Sequence, residues 1–329
     1  MKRVGLLVLG SFINSLGTGL TAFGLAIIML RTYGTASSVA AVQLSSFAPV
    51  VLLAPAAGVL ADRYDRRLMM IIGDAGSVLG LGIILMALSS PRPSLAWVCA
   101  GAVASSCLAA LTEPALRASV TDLVDEEDYV RSSGLLQLAS AAKYLLAPAA
   151  AGFLMPVVGV RGLVLLDTST CIVTVACTAA VRRSLVRQAA PHTTSQQEPD
   201  RDVMAGWRTI ISSSGLRTLV VLMTLATLAI GVIQVLIKPV LLPTVSTSQM
   251  GMIETIAATG MLVGAALVTA WKSARPTTLL AAGLAATGAA MTLVPLGPGA
   301  WWVAACGFLT FASLPLSQAG AEGLGRTHV

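Results

Sequence analysis

Charged residues are scarce in this sequence of 329 residues, because Asp, Glu, Lys and Arg together make up only 11%. An average soluble domain contains about 25% of these residues. Aromatic residues contribute 5%, whereas hydrophobic residues reach 56%. This composition argues against a water-soluble globular protein and favours a chain that lies largely in a lipid bilayer.

Motifs for catalysis and for nucleotide or metal binding are absent from the sequence. It contains no phosphate-binding loop and no nucleophile elbow, and the two histidines, His192 and His328, lie in polar segments. All five cysteines lie in apolar stretches, without the spacing of a zinc site or a disulfide framework. We therefore expect no enzyme activity, no cofactor and no metal, and any uphill transport would have to use an ion gradient.

The net charge of +6 comes from short basic clusters that are scattered between apolar segments. A nucleic-acid-binding protein would instead gather them in one patch, so we expect no nucleic-acid partner. With the N-terminus in the cytoplasm, most of the 21 basic residues fall on the inner side, which satisfies the positive-inside rule. The outer side then holds only Arg31, Arg92, Arg161 and Lys238.

Apolar segments of about 20 residues, the length that crosses the hydrocarbon core of a bilayer, recur along almost the whole chain. They predict an all-α polytopic membrane protein with ten helices, six before and four after a polar stretch. The apolar run after Lys2 and Arg3 has no small-residue cleavage site, so we expect the first span to be retained. The predicted spans are 4–30, 38–61, 68–89, 94–113, 132–156, 160–181, 217–241, 249–271, 276–295 and 299–318.

The polar stretch at 182–216 divides the chain into three predicted parts. These are an N-terminal six-helix bundle at 1–181, a cytoplasmic linker at 182–216, and an incomplete C-terminal bundle of four helices at 217–329. Within the linker, residues 206–211 are expected to form a short helix at the membrane surface.

The most specific motif, GVLADRYDRR at Gly58–Arg67, lies between the second and third predicted spans. A small residue before a tight turn allows two helices to approach closely. The acid and the arginines that follow can form ion pairs or bind a helix end. The alternative interpretation is a basic cytoplasmic loop with incidental acids.

This motif resembles the loop signature of the major facilitator superfamily, whose usual form is GxLaDrxGrk. Asp65 stands where that signature usually has glycine, and the matching residues are Gly58, Leu60, Asp62, Arg63 and Arg66. Three further segments, SLGTGLTAFGLAIIML, PALRASVTDLVDEEDYVRSSGLLQL and GWRTIISSSGLRTL, are similar to the drug-exporter branch that includes macrolide and enterobactin efflux proteins.

The resemblance implies a secondary transporter in a bacterial plasma membrane, with both termini in the cytoplasm, that exports a small amphipathic or drug-like molecule by proton antiport. It gives a gating role to Gly58, Asp62, Arg63 and Arg66, with Asp62 docking at the start of helix eleven. The family has twelve helices, so the last two are missing from the predicted ten, and any partner that supplies them is unknown. The alternative is a truncated, non-transporting membrane protein or an interaction partner.

Three ionisable residues inside predicted spans are candidates for substrate binding or proton coupling. A charged side chain at the centre of a span costs about 2.5 to 3.5 kcal/mol on insertion scales. Lys143 lies near the midplane of the fifth span, where it would contact a polar substrate, compensate charge or form a structural pair. Glu254 in the eighth span is a candidate for proton exchange, and Asp167 in the sixth span is a candidate partner of Lys143.

Other polar residues in the spans have simpler expected roles. Asn14 is expected to form an interhelical hydrogen bond. Asp74 and Glu113 lie near the cytoplasmic ends of the third and fourth spans, and they are expected to pair with the nearby arginines Arg66, Arg67 and Arg117.

The segment LAPAAAGFLMP at 146–156 resembles a worn form of the GPxxGG motif of family antiporters. Pro148 predicts a kink because it lacks a backbone donor, and Gly152 predicts close helix packing. A kinked packing helix without a role in antiport is the alternative.

Overall fold

The computed structural model describes residues 2–123, 132, 135–136, 139, 141–186, 213–271, 275–297 and 299–327. Within these residues the chain is helical and contains no strand, as the sequence predicts. The helices are α1 Lys2–Tyr33, α2 Ala36–Arg63, α3 Arg66–Leu88, α4 Leu95–Ala109, α5 Thr112–Thr121, α6 Ala147–Val186, α7 Ser214–Leu241, α8 Thr247–Ala270, α9 Pro276–Leu293 and α10 Ala300–Thr327.

Eight stretches of the described residues are long and apolar enough to cross a membrane. One of them, Leu95–Thr121, joins α4 and α5, and another, Ala147–Ser184, covers most of α6. The prediction of an all-α polytopic membrane protein is therefore confirmed. The division into six and four spans stays a prediction, and residues 187–212 of the predicted linker lie outside the described residues.

Large apolar side chains on the outside of the helices agree with a membrane location. Leu52 is 77% exposed, Met86 is 77% exposed and Val157 is 82% exposed. On a water-soluble protein, many such side chains would create an apolar surface that promotes aggregation. In a bilayer the same side chains contact lipid tails, which are equally apolar.

One glycine divides α6 into two helices. Gly159 has φ 67° and ψ 179°, a backbone conformation that side-chain-bearing residues rarely adopt. The break lies between the fifth and sixth predicted spans, so α6 contains the end of one span and the whole of the next. We call residues 147–158 α6a and residues 160–186 α6b.

Helix α5 extends beyond the end predicted for the fourth span. The apolar pattern stops at residue 113, but the chain is helical to Thr121. Pro114 is tolerated because it lies in the first turn, where its missing N–H would have no intrahelical acceptor. Arg117 Nη2 lies 2.7 Å from Glu113 Oε1, which confirms the predicted pair and supports the same turn. Hydropathy does not detect such a polar helix.

The helices form two compact units. The first contains Met1–Ala190 together with Lys238–Met252, and the second contains Pro191–Ile237 and Ile253–Val329. The first unit therefore includes α1 to α6, the end of α7 and the start of α8. The second includes most of α7 and α8 together with α9 and α10.

Small residues let the helices of the first unit pack closely. Gly10, Gly17 and Gly24 are spaced seven residues apart on α1 and face α6b, where a Cβ added to Gly24 would lie 3.0 Å from a leucine methyl carbon. Helices α3 and α4 meet at Gly80 and Gly101, and a Cβ on Gly101 would lie 2.7 Å from the Gly80 carbonyl oxygen. Such van der Waals packing drives helix association in lipid, where the hydrophobic effect contributes little.

A cluster of buried apolar residues lies at the end of the first unit that carries the Gly58–Arg67 motif. Val4 and Leu7 of α1 pack there with Met69 and Met70 of α3 and Leu116 of α5. We call this the motif end of the unit, and the opposite end, which contains Gly159, the far end.

The second unit is held together in the same way. Gly260 and Gly264 lie one turn apart on α8 and contact the backbone of α10 directly. Between α9 and α10, the hydroxyl oxygens of Thr287 and Ser313 are 2.6 Å apart and share a hydrogen bond. This is the combination of small residues and polar side chains that is typical of membrane helix contacts.

Candidate functional site

The Gly58–Arg67 motif forms the turn between α2 and α3. Tyr64 is extended, and Asp65 is the N-cap of α3. Asp65 Oδ1 accepts hydrogen bonds from the backbone N–H groups of Arg67 at 3.0 Å and Leu68 at 3.3 Å. These are donors that the start of a helix otherwise leaves unpaired. The cap therefore explains the presence of an acid where the loop signature usually has glycine.

Two ion pairs connect this turn to other helices of the first unit. Arg182 Nε of α6b donates to Asp65 Oδ2 at 2.8 Å. Arg66 forms an ion pair with Asp122, and its Nη1 also donates to the Ala118 carbonyl oxygen at 3.1 Å. The motif therefore joins the start of α3 to the ends of α5 and α6b.

The surroundings of Asp65 lower the pKa of its carboxyl. Partial burial by itself raises the pKa, but hydrogen bonds from Arg182 and from the backbone of Leu68 and Arg67, with the positive charge of Arg182, outweigh it. The side chain of Arg182 is 40% exposed, and that of Asp65 is 38% exposed. Because water screens the pair, its contribution to stability is small.

The close helix approach expected at Gly58 is not present in the described residues. A Cβ added to Gly58 would meet no atom within 4 Å. Gly58 lies beside Val59 and Leu60, which are exposed, whereas Ala57 and Ala61 are buried. The prediction of tight packing at Gly58 is therefore wrong, because the buried face of α2 is centred between Ala57 and Ala61, and Gly58 lies at its edge.

The positions of the other motif residues do not test the predicted gating role. Arg63 is exposed at the end of α2. The side chain of Asp62 lies outside the part that the structure describes. The gating roles of Gly58, Asp62, Arg63 and Arg66 therefore stay predictions.

Asp74 lies in the interior of the first unit and is only 1% exposed. Its Oδ1 accepts hydrogen bonds from Thr112 Oγ1 at 3.0 Å and from Asn14 Nδ2 at 3.4 Å. The expected ion pair with a loop arginine is wrong, because Asp74 lies about two helical turns beyond Arg66 and faces α1 and α5. The interhelical hydrogen bond expected for Asn14 is confirmed.

Asp167 is buried on α6b, where it lies against α1 and is 4% exposed. Thr170 Oγ1 donates to the Asp167 carbonyl oxygen at 2.7 Å and lies 3.5 Å from Asp167 Oδ1. A Cβ added to Gly17 would lie 2.7 Å from that carboxyl oxygen. One turn further along α6b, Cys171 Sγ lies 3.5 Å from Asn14 Oδ1. We call four residues the interior polar cluster: Asn14, Asp74, Asp167 and Cys171.

Lys143 does not pair with Asp167. Its Nζ lies over the ring of Tyr144, 4.9 Å from the ring centroid, and none of the ion pairs in the described residues includes it. A Cβ added to Gly19 of α1 would lie 2.9 Å from the Lys143 carbonyl oxygen. Lys143 therefore turns its backbone, rather than its ammonium group, toward the helix that covers Asp167. The predicted pair is wrong for this reason.

Glu254 lies on α8 in the second unit and is half-buried. Lys143 and Asp167 belong to the first unit. The predicted roles of these three residues in substrate binding or proton coupling stay predictions.

At the far end of the first unit, α6a packs against the start of α8. Ser248 Oγ donates to the Gly152 carbonyl oxygen at 2.8 Å, and a Cβ added to Gly152 would lie 3.2 Å from Gly251 Cα. Gly251 also lies against the Pro148 carbonyl. Pro148 and Gly152 therefore take part in one close backbone contact.

Two basic residues that were predicted on the outer side contact other side chains at the far end. Lys238 is 7% exposed, and its Nζ lies 5.7 Å from the ring centroid of Phe23. Arg31 Nη2 donates to Thr247 Oγ1 at 2.7 Å, beside a cavity of about 280 Å³ that Gly159 also lines. The buried position of Lys238 was not predicted, although a lysine inside the apolar run VLIKPVLL is a visible signal.

No group of three or more His, Cys, Asp or Glu residues in the described ranges is placed to hold a metal ion. Among the described residues, the buried ionisable side chains are Asp74, Asp167, Cys171, Cys306 and Lys238. Their chemistry is that of proton exchange and hydrogen bonding.

The sequence matches the Major Facilitator Superfamily over residues 7–324. Macrolide efflux protein A of Streptococcus pyogenes is 27% identical over 179 residues, which cover 53% of this chain and 43% of that protein. The protein of the same name from Enterococcus faecalis is 33% identical over 135 residues, which cover 39% of this chain and 40% of that protein. The matches therefore span less than half the length of these curated relatives.

Solved structures share the fold. A bacterial homologue of the iron transporter ferroportin, in its inward-facing state, has a TM-score of 0.75 at 16% identity and covers 100% of this chain and 84% of that chain. A bacterial homologue of the human lysosomal transporter Spinster has a TM-score of 0.68 at 14% identity, covering 99% and 78%. Because the family match extends over nearly all of the sequence, this chain belongs to the Major Facilitator Superfamily.

Proposed function

We propose that this chain is a secondary transporter that exports a small amphipathic or drug-like molecule in exchange for protons by alternating access. The observation that carries the proposal is the superfamily match over residues 7–324. The relatives named macrolide efflux protein A make an antibiotic-like substrate the first choice. The proposed location is a bacterial plasma membrane, with both termini in the cytoplasm.

The residues proposed to bind substrate or protons are Lys143, Asp167 and Glu254. Asp167 and Glu254 lie in stretches that are long and apolar enough to span a membrane, and Lys143 lies in the predicted fifth span. Ionisable groups are rare in such segments and usually functional. Asp167 supports the proposal best, because it is buried and takes no part in the ion pairs of the described residues. The absence of a nucleotide-binding loop from the sequence makes an ion gradient the energy source.

The proposed gate is the motif end, including Gly58, Asp62, Arg63 and Arg66. There the pairs Asp65–Arg182 and Arg66–Asp122 link the start of α3 to its neighbours. A rigid-body movement of α3 would have to break these pairs or carry the partner helices with it. Partly exposed ion pairs contribute only about 0.2 to 1 kcal/mol, so they can exchange during a transport cycle.

An efflux assay in a bacterial host without its major exporters tests this proposal. Cells that express the chain are loaded with a radiolabelled macrolide and, separately, with a panel of other amphipathic compounds. We expect less retained label than in empty-vector cells, and we expect an uncoupler to abolish the difference by collapsing the proton gradient. Equal retention for every compound would contradict export and would favour a non-transporting membrane role.

Substitutions in the same assay test the residues. Lys143→Ala is expected to reduce efflux at normal expression, and unchanged efflux would reject its role. Glu254→Gln is expected to abolish uphill transport while substrate binding stays measurable, and intact uphill transport would remove it from the mechanism. Glu113→Gln is the matched control, because Glu113 is 57% exposed and its partner is Arg117 on the same helix.

A further inference from the structure

The interior polar cluster contains two acids on different helices that are connected through α1. Asn14 Nδ2 donates to Asp74 Oδ1 at 3.4 Å, and Asn14 Oδ1 accepts from Cys171 Sγ at 3.5 Å. Asp167 precedes Cys171 by four residues on α6b, so the two side chains lie on one face of that helix. The cluster therefore runs from α3 through α1 to α6b.

The two carboxyl oxygens of Asp74 have different surroundings in the described residues. Its Oδ1 accepts both hydrogen bonds, from Thr112 and from Asn14. Its Oδ2 is buried and has no hydrogen-bond partner among the described residues. A buried polar atom without a partner is uncommon in folded proteins and calls for a specific explanation.

Neither acid forms an ion pair with a cation in the part of the chain that the structure describes. Within the described residues, the ion pairs of the first unit are formed by Asp65, Glu113 and Asp122. Apart from Asp62 and Arg63 at the end of α2, neither α2 nor α4 carries a charged residue. The groups that contact the acids from α1, α5 and α6b include Asn14, Thr112, Thr170 and the thiol of Cys171. The hydroxyl of Thr21 on α1 also lies against the Asp167 carboxyl.

A carboxylate enclosed by protein without a cation is strongly destabilised, whereas a neutral carboxylic acid is tolerated and can donate its O–H. We propose that Asp74 and Asp167 form a proton-binding site inside the first unit, in which Asp74 Oδ2 carries the proton. Thr112 and Asn14 act as positioning residues, because their hydrogen bonds occupy Oδ1 and leave Oδ2 for the proton.

The proton balance of the site is simple. A proton from water on one side of the membrane adds to the Asp74 carboxylate and gives the neutral acid. Its release to water on the other side restores the carboxylate, and no other group changes. The coupling of this step to export rests on the proposed function, whereas proton binding itself does not.

Infrared difference spectroscopy of the purified chain in lipid nanodiscs, without substrate, tests the site. The pH is varied, and the carbonyl stretch of protonated carboxylic acids is recorded in H2O and in D2O. We expect a band that appears as the pH falls and shifts in D2O. Asp74→Asn should remove that band, and Asp167→Asn should change the pH at which it appears, because acids in one cluster titrate together. Glu113→Gln should leave the band unchanged.

A second variant covers the case in which Asp74→Asn does not fold. Thr112→Val retains the acid but removes the hydrogen bond to Oδ1, so it should shift the frequency of the band. An undiminished band in folded Asp74→Asn, or an unshifted band in Thr112→Val, would overturn the proposal. A band that disappears when Na⁺ is added at constant pH would also overturn it, because the acids would then bind a metal cation.

The transport assay separates this proposal from the proposed function. A wild-type chain that shows the Asp74 band but exports no compound contradicts the proposed function and supports the proton site. Export without an Asp74 band contradicts the proton site alone.

Discussion

Replacing Asp65 tests the structural role of the turn between α2 and α3. Asp65→Ala removes the two hydrogen bonds that cap α3 and the ion pair with Arg182, whereas Asp65→Asn keeps a capping oxygen and loses only the charge. Loss of an N-cap costs about 0.5 to 2 kcal/mol. A pair with side chains 40% and 38% exposed adds about 0.2 to 1 kcal/mol after screening by water.

We therefore expect Asp65→Ala to lower the free energy of unfolding by about 0.7 to 3 kcal/mol, and Asp65→Asn by less than about 1 kcal/mol. The free energy can be measured by titrating the purified protein in detergent micelles with sodium dodecyl sulfate and following tryptophan fluorescence. Arg183→Ala is the matched control, because Arg183 is an exposed neighbour of Arg182. A double-mutant cycle of Asp65→Asn with Arg182→Gln isolates the ion pair.

The pH dependence gives an independent test of the same contact. The folded structure lowers the pKa of Asp65, so the stability it contributes is fully present above the unfolded pKa of about 3.9. This stability is lost as the pH falls through the lower folded pKa. The difference between wild type and Asp65→Asn should therefore shrink below about pH 4. Equal destabilisation by Asp65→Ala and Asp65→Asn, or no more than by Arg183→Ala, would refute the capping geometry.

Three further substitutions test the packing of the bundle by the same unfolding titration. Gly80→Leu should destabilise the chain by about 1 to 3 kcal/mol, because even a Cβ at Gly80 would overlap the backbone of Ser105. A variant that folds with unchanged stability would show that α3 and α4 are further apart than the structure places them. Thr287→Val should cost about 0.6 to 1.7 kcal/mol through loss of the hydrogen bond to Ser313, and no loss would mean that the bond is not formed. Glu113→Gln should change stability by less than about 0.5 kcal/mol, because its pair with Arg117 is exposed, and a larger loss would place Glu113 in a buried contact.

Apolar periodicity was sufficient to place most of the helices. The third span was predicted at 68–89 and α3 runs from Arg66 to Leu88, since a bilayer imposes a length that the apolar run reports directly. Polar helices give no such signal, so α5 was not predicted. Its start depends on the tolerance of a first-turn proline and on an ion pair within one turn.

The partners of ionisable residues could not be predicted in the same way. Asp74 is close to Arg66 and Arg67 in sequence, but the helical face on which it lies directs it to Asn14 and Thr112. Lys143 and Asp167 are on neighbouring predicted spans, yet the close approach of α1 turns the lysine backbone inward. Which residues meet is decided by helix rotation and crossing, and a single sequence does not contain that information.

The central claim is that a proton gradient drives export by this chain. Its most direct test is reconstitution of this chain in proteoliposomes with an acidic lumen and with the membrane potential clamped at zero. Macrolide uptake and lumenal pH are recorded together, and protein-free liposomes account for passive trapping of a weak base. We predict macrolide accumulation above the protein-free level, with a simultaneous rise in lumenal pH. Accumulation equal to the protein-free level, or accumulation that persists without the pH gradient, would contradict the claim.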